Sequence, residues 1–263
     1  MKFIDVGGHR IEVARLASAH PRAGAPAIVF LHEGLGSLSM WRDFPQRVAD
    51  ATGCEAIVYS RLGYGGSDPI TAKRGVRYMH DEALHALPAL LDALEVHAPI
   101  LFGHSDGASI ALIHAGGTRR QVTALILLAP HVMVENLSVA SIAQAKVAYE
   151  TTDLRARLAK HHANADSAFR GWNDIWLDPA FRAWNIEEYL PGIRCPILAI
   201  QGEDDEYGTM AQVERIARQA RDVELLKLAD CRHSPHKDQP EAVLAAAGDF
   251  VARVLDARDA ALT

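Results

Sequence analysis

The sequence predicts an α/β fold with a mostly parallel sheet covered by helices on both faces. Three observations carry this. Short runs rich in Val, Ile and Leu recur along the chain without polar alternation, as strands buried on both faces require. Helical patterns separate these runs, which is the βα alternation of a parallel sheet. The length of 263 residues is ample for one large core or for a core carrying an inserted subdomain.

Each element can be justified in order. "MKFIDV" and "HRIEVARLA" flank Gly7 and Gly8 and read as an opening hairpin. "AIVFLH" (27–32) is the first buried strand, and "MWRDFPQRVADAT" follows as a helix. "EAIVYS" (55–60) is a strand, and "YMHDEALHALPALLDAL" is an amphipathic helix in spite of Pro88. "PILFGH", the apolar helix "DGASIALIHA" (106–115) and the strand "VTALILLAP" (122–130) come next. The strand "PILAIQG", the helix "TMAQVERIARQA", the strand "VELLKLA" and a helix from Pro240 onward complete a set of eight strands.

The rhythm breaks once, between residues 131 and 194. That stretch is roughly double what a simple crossover needs. It holds Trp172, Trp176 and Trp184, three of the four tryptophans. It reads as a helical cap, residues 134–189, inserted into a core of residues 1–133 and 190–263. The plain alternative is a pair of crossover helices on the sheet face. The expected cap helices are "SIAQAKVAYE" and a single "LRARLAKHHANADSAFRGW".

Composition narrows the function. With 27 basic and 33 acidic residues the net charge is −6, which argues against nucleic acid or an anionic membrane as partner. Apolar runs are too short to span a bilayer, and the first residues carry no export pattern. Cys54, Cys195 and Cys231 are odd in number and widely spaced, which suits a reducing cytoplasm. The expected location is therefore cytoplasmic and the expected partner a small molecule; the oligomeric state, including a homodimer, stays open.

Gly103-x-Ser105-x-Gly107 sits between a strand and a helix, the context of a nucleophile elbow. A serine hydroxyl needs a base, and "LADCRHSPHKDQPE" supplies His233 and His236 late in the chain. An orienting carboxylate is offered by Glu203, Asp204, Asp205 and Glu206 after the preceding strand. Two N–H donors for an oxyanion are expected from Asp106 and from the loop "FLHEGLGS", with Gly34 favoured. His233, His236 and Asp238 have no spacing that closes a metal site, so no metal and no cofactor is expected. "GYGGSD" (63–68) lacks the phosphate-loop patterns. His161 and His162 are expected to be solvated or packed.

Taken together, "LHEGLG", "YSRLGYGGSDP", "GHSDG", "GEDD" and "CRHSPHKDQPE" resemble the α/β-hydrolase superfamily over nearly the whole chain. The resemblance implies Ser105 as nucleophile, Asp205 as acid and His233 as base. It also implies hydrolysis of a small carboxylic ester or lactone through an acyl-enzyme. C–C bond hydrolase, amidase or aminopeptidase, thioesterase, perhydrolase and a non-hydrolysing receptor share the same frame. The chain departs from the usual pattern at Glu33, where a glycine is common, and at Asp106, where Met, Gln or Leu is common. Amino-acid ester hydrolases resembling valacyclovirase also carry aspartate after the nucleophile. If the Glu33 and Asp106 carboxylates face the pocket they would favour a cationic substrate group; local hydrogen bonding is the alternative. His32, Trp41, Trp172 and Trp176 are further candidates for substrate contact, each with core packing as its alternative.

Overall fold

The computed structural model describes residues 2–261. One eight-stranded sheet runs in the order β1-β2-β4-β3-β5-β6-β7-β8. The strands are β1 (Lys2–Val6), β2 (His9–Leu16), β3 (Ile28–Leu31), β4 (Ala56–Tyr59), β5 (Ile100–His104), β6 (Ala124–Leu128), β7 (Ile197–Gly202) and β8 (Val223–Leu228). β1, β2 and β4 pair antiparallel, and every other neighbour is parallel. Residues of β3, β5 and β6 are all buried, which is why their sequences are continuous Ile, Leu, Val and Phe. The register sets Leu31 of β3 beside Gly103 of β5, so both strand ends open at one edge.

The helices follow as α1 (Phe44–Thr52), α2 (Tyr78–Asp81), α3 (Leu87–Ala93), α4 (Asp106–Gly117), α5 (Asn136–Thr151), α6 (Leu154–Leu158), α7 (Ala165–Trp176), α8 (Ala211–Gln219), α9 (Pro235–Asp238) and α10 (Pro240–Ala260). One apolar layer joins α1 and α10 to the sheet through Phe44, Val48, Phe250 and Val251. The other joins α3, α4 and α8 through Leu87, Leu91, Ile110, Ile113, Val213 and Ile216. No helix among the described residues is long and apolar enough to cross a membrane.

Three helices differ from the sequence reading. The segment expected to run on from Met40 is a 3-10 turn over Leu38–Trp41, broken at Arg42 (φ 55°) before α1 begins. Between α2 and α3 the helix widens into a π turn over Glu82–Ala86. Pro88 cannot donate to the carbonyl a turn earlier and its ring crowds it; the wider turn absorbs this. The single long cap helix is two, α6 and α7. Asn164 caps α7 by accepting from the Ser167 N–H at 2.9 Å, and the intervening residues dock on the core. There the Gly65 N–H donates to His162 Nδ1 (3.0 Å), and His162 Nε2 donates to the Leu35 carbonyl (3.0 Å). His162 thus ties the segment between β6 and β7 to two loops at the strand ends.

Candidate active site

The site begins where β5 passes into α4. Ser105 lies at this junction with φ 53° and ψ −118°, a conformation disfavoured for any side chain. The bend is held because nothing larger than glycine fits beside it. A Cβ on Gly107 would collide with the carbonyls of Leu31 and His32, and one on Gly103 with the Ala108 backbone. The Ser105 N–H donates to the Leu128 carbonyl at 2.9 Å, anchoring the turn to β6.

The three residues singled out from the sequence converge. Ser105 Oγ lies 3.0 Å from His233 Nε2, and His233 Nδ1 lies 2.9 Å from both carboxylate oxygens of Asp205. With Nδ1–H donating to Asp205, Nε2 is left as the acceptor for the serine hydroxyl. Asp205 is almost wholly buried at the end of β7, and it accepts from the Tyr207 N–H (2.8 Å), the Gly208 N–H (3.3 Å) and Gln201 Nε2 (2.7 Å). Its neighbours do other work: the Asp204 N–H donates to the Cys231 carbonyl, and Glu206 accepts from the His233 N–H at 3.3 Å. His236 packs instead beneath the site against Trp41, at 4.8 Å between rings. Asp238 accepts from the Arg232 N–H at 2.9 Å, so His233, His236 and Asp238 point to three different partners.

Burial pushes the Asp205 carboxyl up, but the His233 contact and charge, the Tyr207 N–H and His131 outweigh it and hold it below its ordinary value. A depressed carboxylate contributes stability that is complete above its unfolded pKa of about 3.9 and is lost as pH falls through the lower folded value. Asp205→Asn is therefore expected to be less stable than the native chain at pH 6, with the gap closing as pH falls toward 3. Urea unfolding at several pH values checks this, and a gap that widens on acidification would contradict it. The same variant is expected to lose activity by up to about 10⁴-fold, as when the orienting acid of a serine-protease triad becomes an amide.

The N–H groups of Gly34 and Asp106 have no acceptor among the described residues, as an oxyanion site requires. Trp172 lies against Gly34, and a Cβ there would collide with the indole. Gly34→Ala is expected to displace either the indole or the loop and to lower kcat on the order of 10²-fold, as for a lost oxyanion donor. Steady-state kinetics with thermal melting would separate this from simple unfolding.

Other expected contacts are relocated. Trp41 is buried against Phe30 (5.2 Å), Phe102 (6.1 Å) and His236, because the 3-10 turn carries it to the α1 side of the sheet. His32 is fully buried: its Nδ1–H donates to the Glu33 carbonyl (2.7 Å) and its Nε2 accepts from the Arg61 N–H (3.0 Å). Burial and the Arg61 guanidinium hold its pKa well below the ordinary imidazole value, so it is a neutral strut for the loop. Trp176 of α7 packs against Phe181 (5.0 Å), donates to the Tyr78 hydroxyl (3.1 Å) and meets the His131 ring at 5.2 Å.

Of the two readings open for the carboxylates, the structure supports local partners for both side chains. Asp106 is fully buried and accepts from the Tyr78 hydroxyl at 2.6 Å. Glu33 turns away toward His104 Nδ1 (3.5 Å) and Lys237 Nζ (3.9 Å). His104, His131 and Tyr207 were missed by sequence reasoning. His131 and Tyr207 put their rings 5.7 Å and 4.7 Å from that of His233. His131 lies three residues beyond the end of β6, and the rule that α/β sites form beyond the carboxyl ends of strands could have found it.

Comparison with known proteins agrees with this architecture. A family model described as alpha/beta hydrolase family matches residues 28–247. The structure is similar to an enol-lactonase from Burkholderia xenovorans LB400 (TM-score 0.75, 20% identity, 95% of this chain and 99% of that one). It is similar also to a proline iminopeptidase from Mycobacterium smegmatis (0.74, 18%, 96% and 98%). A meta-cleavage product hydrolase from Pseudomonas fluorescens IP01 is a third likeness (0.73, 15%, 96% and 98%). A search among curated protein sequences finds no match. An eight-stranded, mostly parallel sheet and a family match over most of its length lead to one assignment: the chain belongs to the alpha/beta hydrolase family.

Proposed function

We propose that the protein is a serine hydrolase that cleaves a small carboxylic ester or lactone through an acyl-enzyme. The observation that carries this is the hydrogen-bonded line from Ser105 through His233 to Asp205, at 3.0 and 2.9 Å. Ser105 Oγ attacks the carbonyl carbon as its proton passes to His233 Nε2. The oxyanion is met by the N–H groups of Gly34 and Asp106, and the partial positive charge at the start of α4 adds to them. Collapse breaks the bond to the leaving oxygen, which takes the proton from His233. In a lactone that oxygen stays tethered to the acyl group. Water then gives a proton to His233 and its oxygen to the acyl carbon, and Ser105 departs with the proton returned. The buried Asp205 carboxylate keeps the ring oriented and stabilises the imidazolium formed in each half. No step calls for a metal or cofactor.

The test is a panel of small esters, lactones, amides and aminoacyl esters, together with labelling by a fluorophosphonate. Turnover of esters or lactones and rapid labelling at Ser105 are expected. Tight binding of a panel member without turnover or labelling would replace the enzyme reading with that of a receptor. A strong preference for amino-bearing esters would revive a cation-selective pocket, which neither Glu33 nor Asp106 is placed to supply.

A further inference from the structure

Beneath the site lies an imidazole that the mechanism above does not use. His104 immediately precedes Ser105 and is 1% exposed. Its Nε2 lies 2.7 Å from the carbonyl oxygen of His233. A carbonyl can only accept, so Nε2 carries the hydrogen. In a neutral ring Nδ1 is then a bare lone pair. It is buried and without a hydrogen-bond partner, and Glu33 Oε2 stands 3.5 Å away. Two acceptors facing each other out of water repel, and each forgoes a hydrogen bond. A proton on Nδ1 turns the repulsion into an ion pair.

The surroundings of this ring come from four elements. Glu33 belongs to the loop after β3, and His233 to the loop before α9. His236 of α9 sets its ring 5.0 Å from that of His104, and Trp41 of the 3-10 turn lies at 6.3 Å. Lys237 of α9 reaches the other Glu33 oxygen at 3.9 Å. Glu33 is the one carboxylate within ion-pair distance of the ring among the described residues. Burial pushes the Glu33 carboxyl up, but the contact with His104 and the nearby positive charge of Lys237 outweigh it and hold it well below the ordinary carboxylate range. Burial likewise pushes His236 well below the ordinary imidazole value, leaving that ring neutral beside the pair.

We propose that Glu33 and His104 form a pair whose Nε2–H grips the main chain of His233, making both of them positioning residues for the base. The inference rests on His233 acting as that base. His233 stands in a loop without regular structure, and its carbonyl has the His104 ring as its partner. Because His104 and Ser105 are consecutive, the grip ties the main chain of the base to that of the nucleophile independently of Asp205. It also accounts for glutamate at position 33, where the family commonly has glycine.

Histidine ¹⁵N NMR on the native protein reads the protonation directly. His104 Nε2 is expected to carry a proton held by the His233 carbonyl, and Glu33→Gln is expected to shift its resonance without removing it. His104→Phe fills the ring's volume without a donor. It is expected to lower kcat roughly 10- to 100-fold, the scale of a misplaced catalytic group, with KM changed less than about 2-fold. His104→Gln, whose amide can donate to the same carbonyl, is expected to recover most of the loss. A bare Nε2 on His104 in the native protein would overturn the proposal, as would a His104→Phe enzyme with native kcat or a Gln variant no better than Phe. Ser105→Ala run beside them keeps the two readings apart. If it retains turnover the triad fails, while the NMR result still decides whether the pair exists.

Discussion

Replacing Ser105 with alanine is expected to reduce kcat by about 10⁴-fold or more, the scale set by removal of a triad nucleophile. The fold should survive, because the side chain makes one contact, to His233, and its backbone is held by glycine packing and by the Leu128 carbonyl. His233→Ala should lose a similar amount, and the double variant should fall little further, since the two act as one unit. A third arm uses the strain. At φ 53° a side chain costs about 1–3 kcal/mol that glycine does not. Ser105→Gly is thus expected to be as inactive as Ser105→Ala but more stable, with Tm higher by roughly 2–4 °C per kcal/mol recovered. Kinetics and thermal melting of the two variants test this together. Native turnover in Ser105→Ala would remove the proposed mechanism, and equal Tm values would mean that the bend stores no strain.

Gly107→Ala is expected to be the most damaging small substitution in the core of the site. The added methyl meets the carbonyls of Leu31 and His32, which belong to the backbone of β3 and the loop after it. Side chains can rotate away from a clash, but a paired strand in mid-sheet cannot. Relief requires the first turn of α4 to lift off the sheet, taking Ser105 and the Asp106 N–H with it. Overpacking of this kind costs about 3 kcal/mol, or roughly 6–12 °C in Tm for a domain of this size. Activity should fall at temperatures where the variant is still folded, because the donors move before the fold fails. A variant within 2 °C of native and with native kcat would show that the elbow is looser than its geometry implies.

These two residues were legible in the sequence because the pattern around them is local. A buried strand, a glycine-flanked serine and an apolar helix are contiguous, and the turn between them has few solutions. The loops after two strand ends narrowed the acid and base to short lists, and the family resemblance chose Asp205 and His233 from them. What stayed hidden depends on where the chain turns afterwards. Trp41 is three residues past Leu38 on a turn that reverses direction at Arg42, so its face of the sheet was not readable. The break between α6 and α7 is fixed by His162 bonding to Gly65 and Leu35, neither of them near in sequence. Glu33 and Asp106 left two readings open because their backbones flank the site; their carboxylates meet His104 and Tyr78, partners that only packing supplies.

The contact of Trp172 with Gly34 has a consequence for selectivity. One candidate oxyanion donor is braced by an indole on α7, so seating of that helix and assembly of the hole are a single event. Substrate size is therefore expected to be read in kcat more than in KM, which kinetics across esters of increasing acyl size would check.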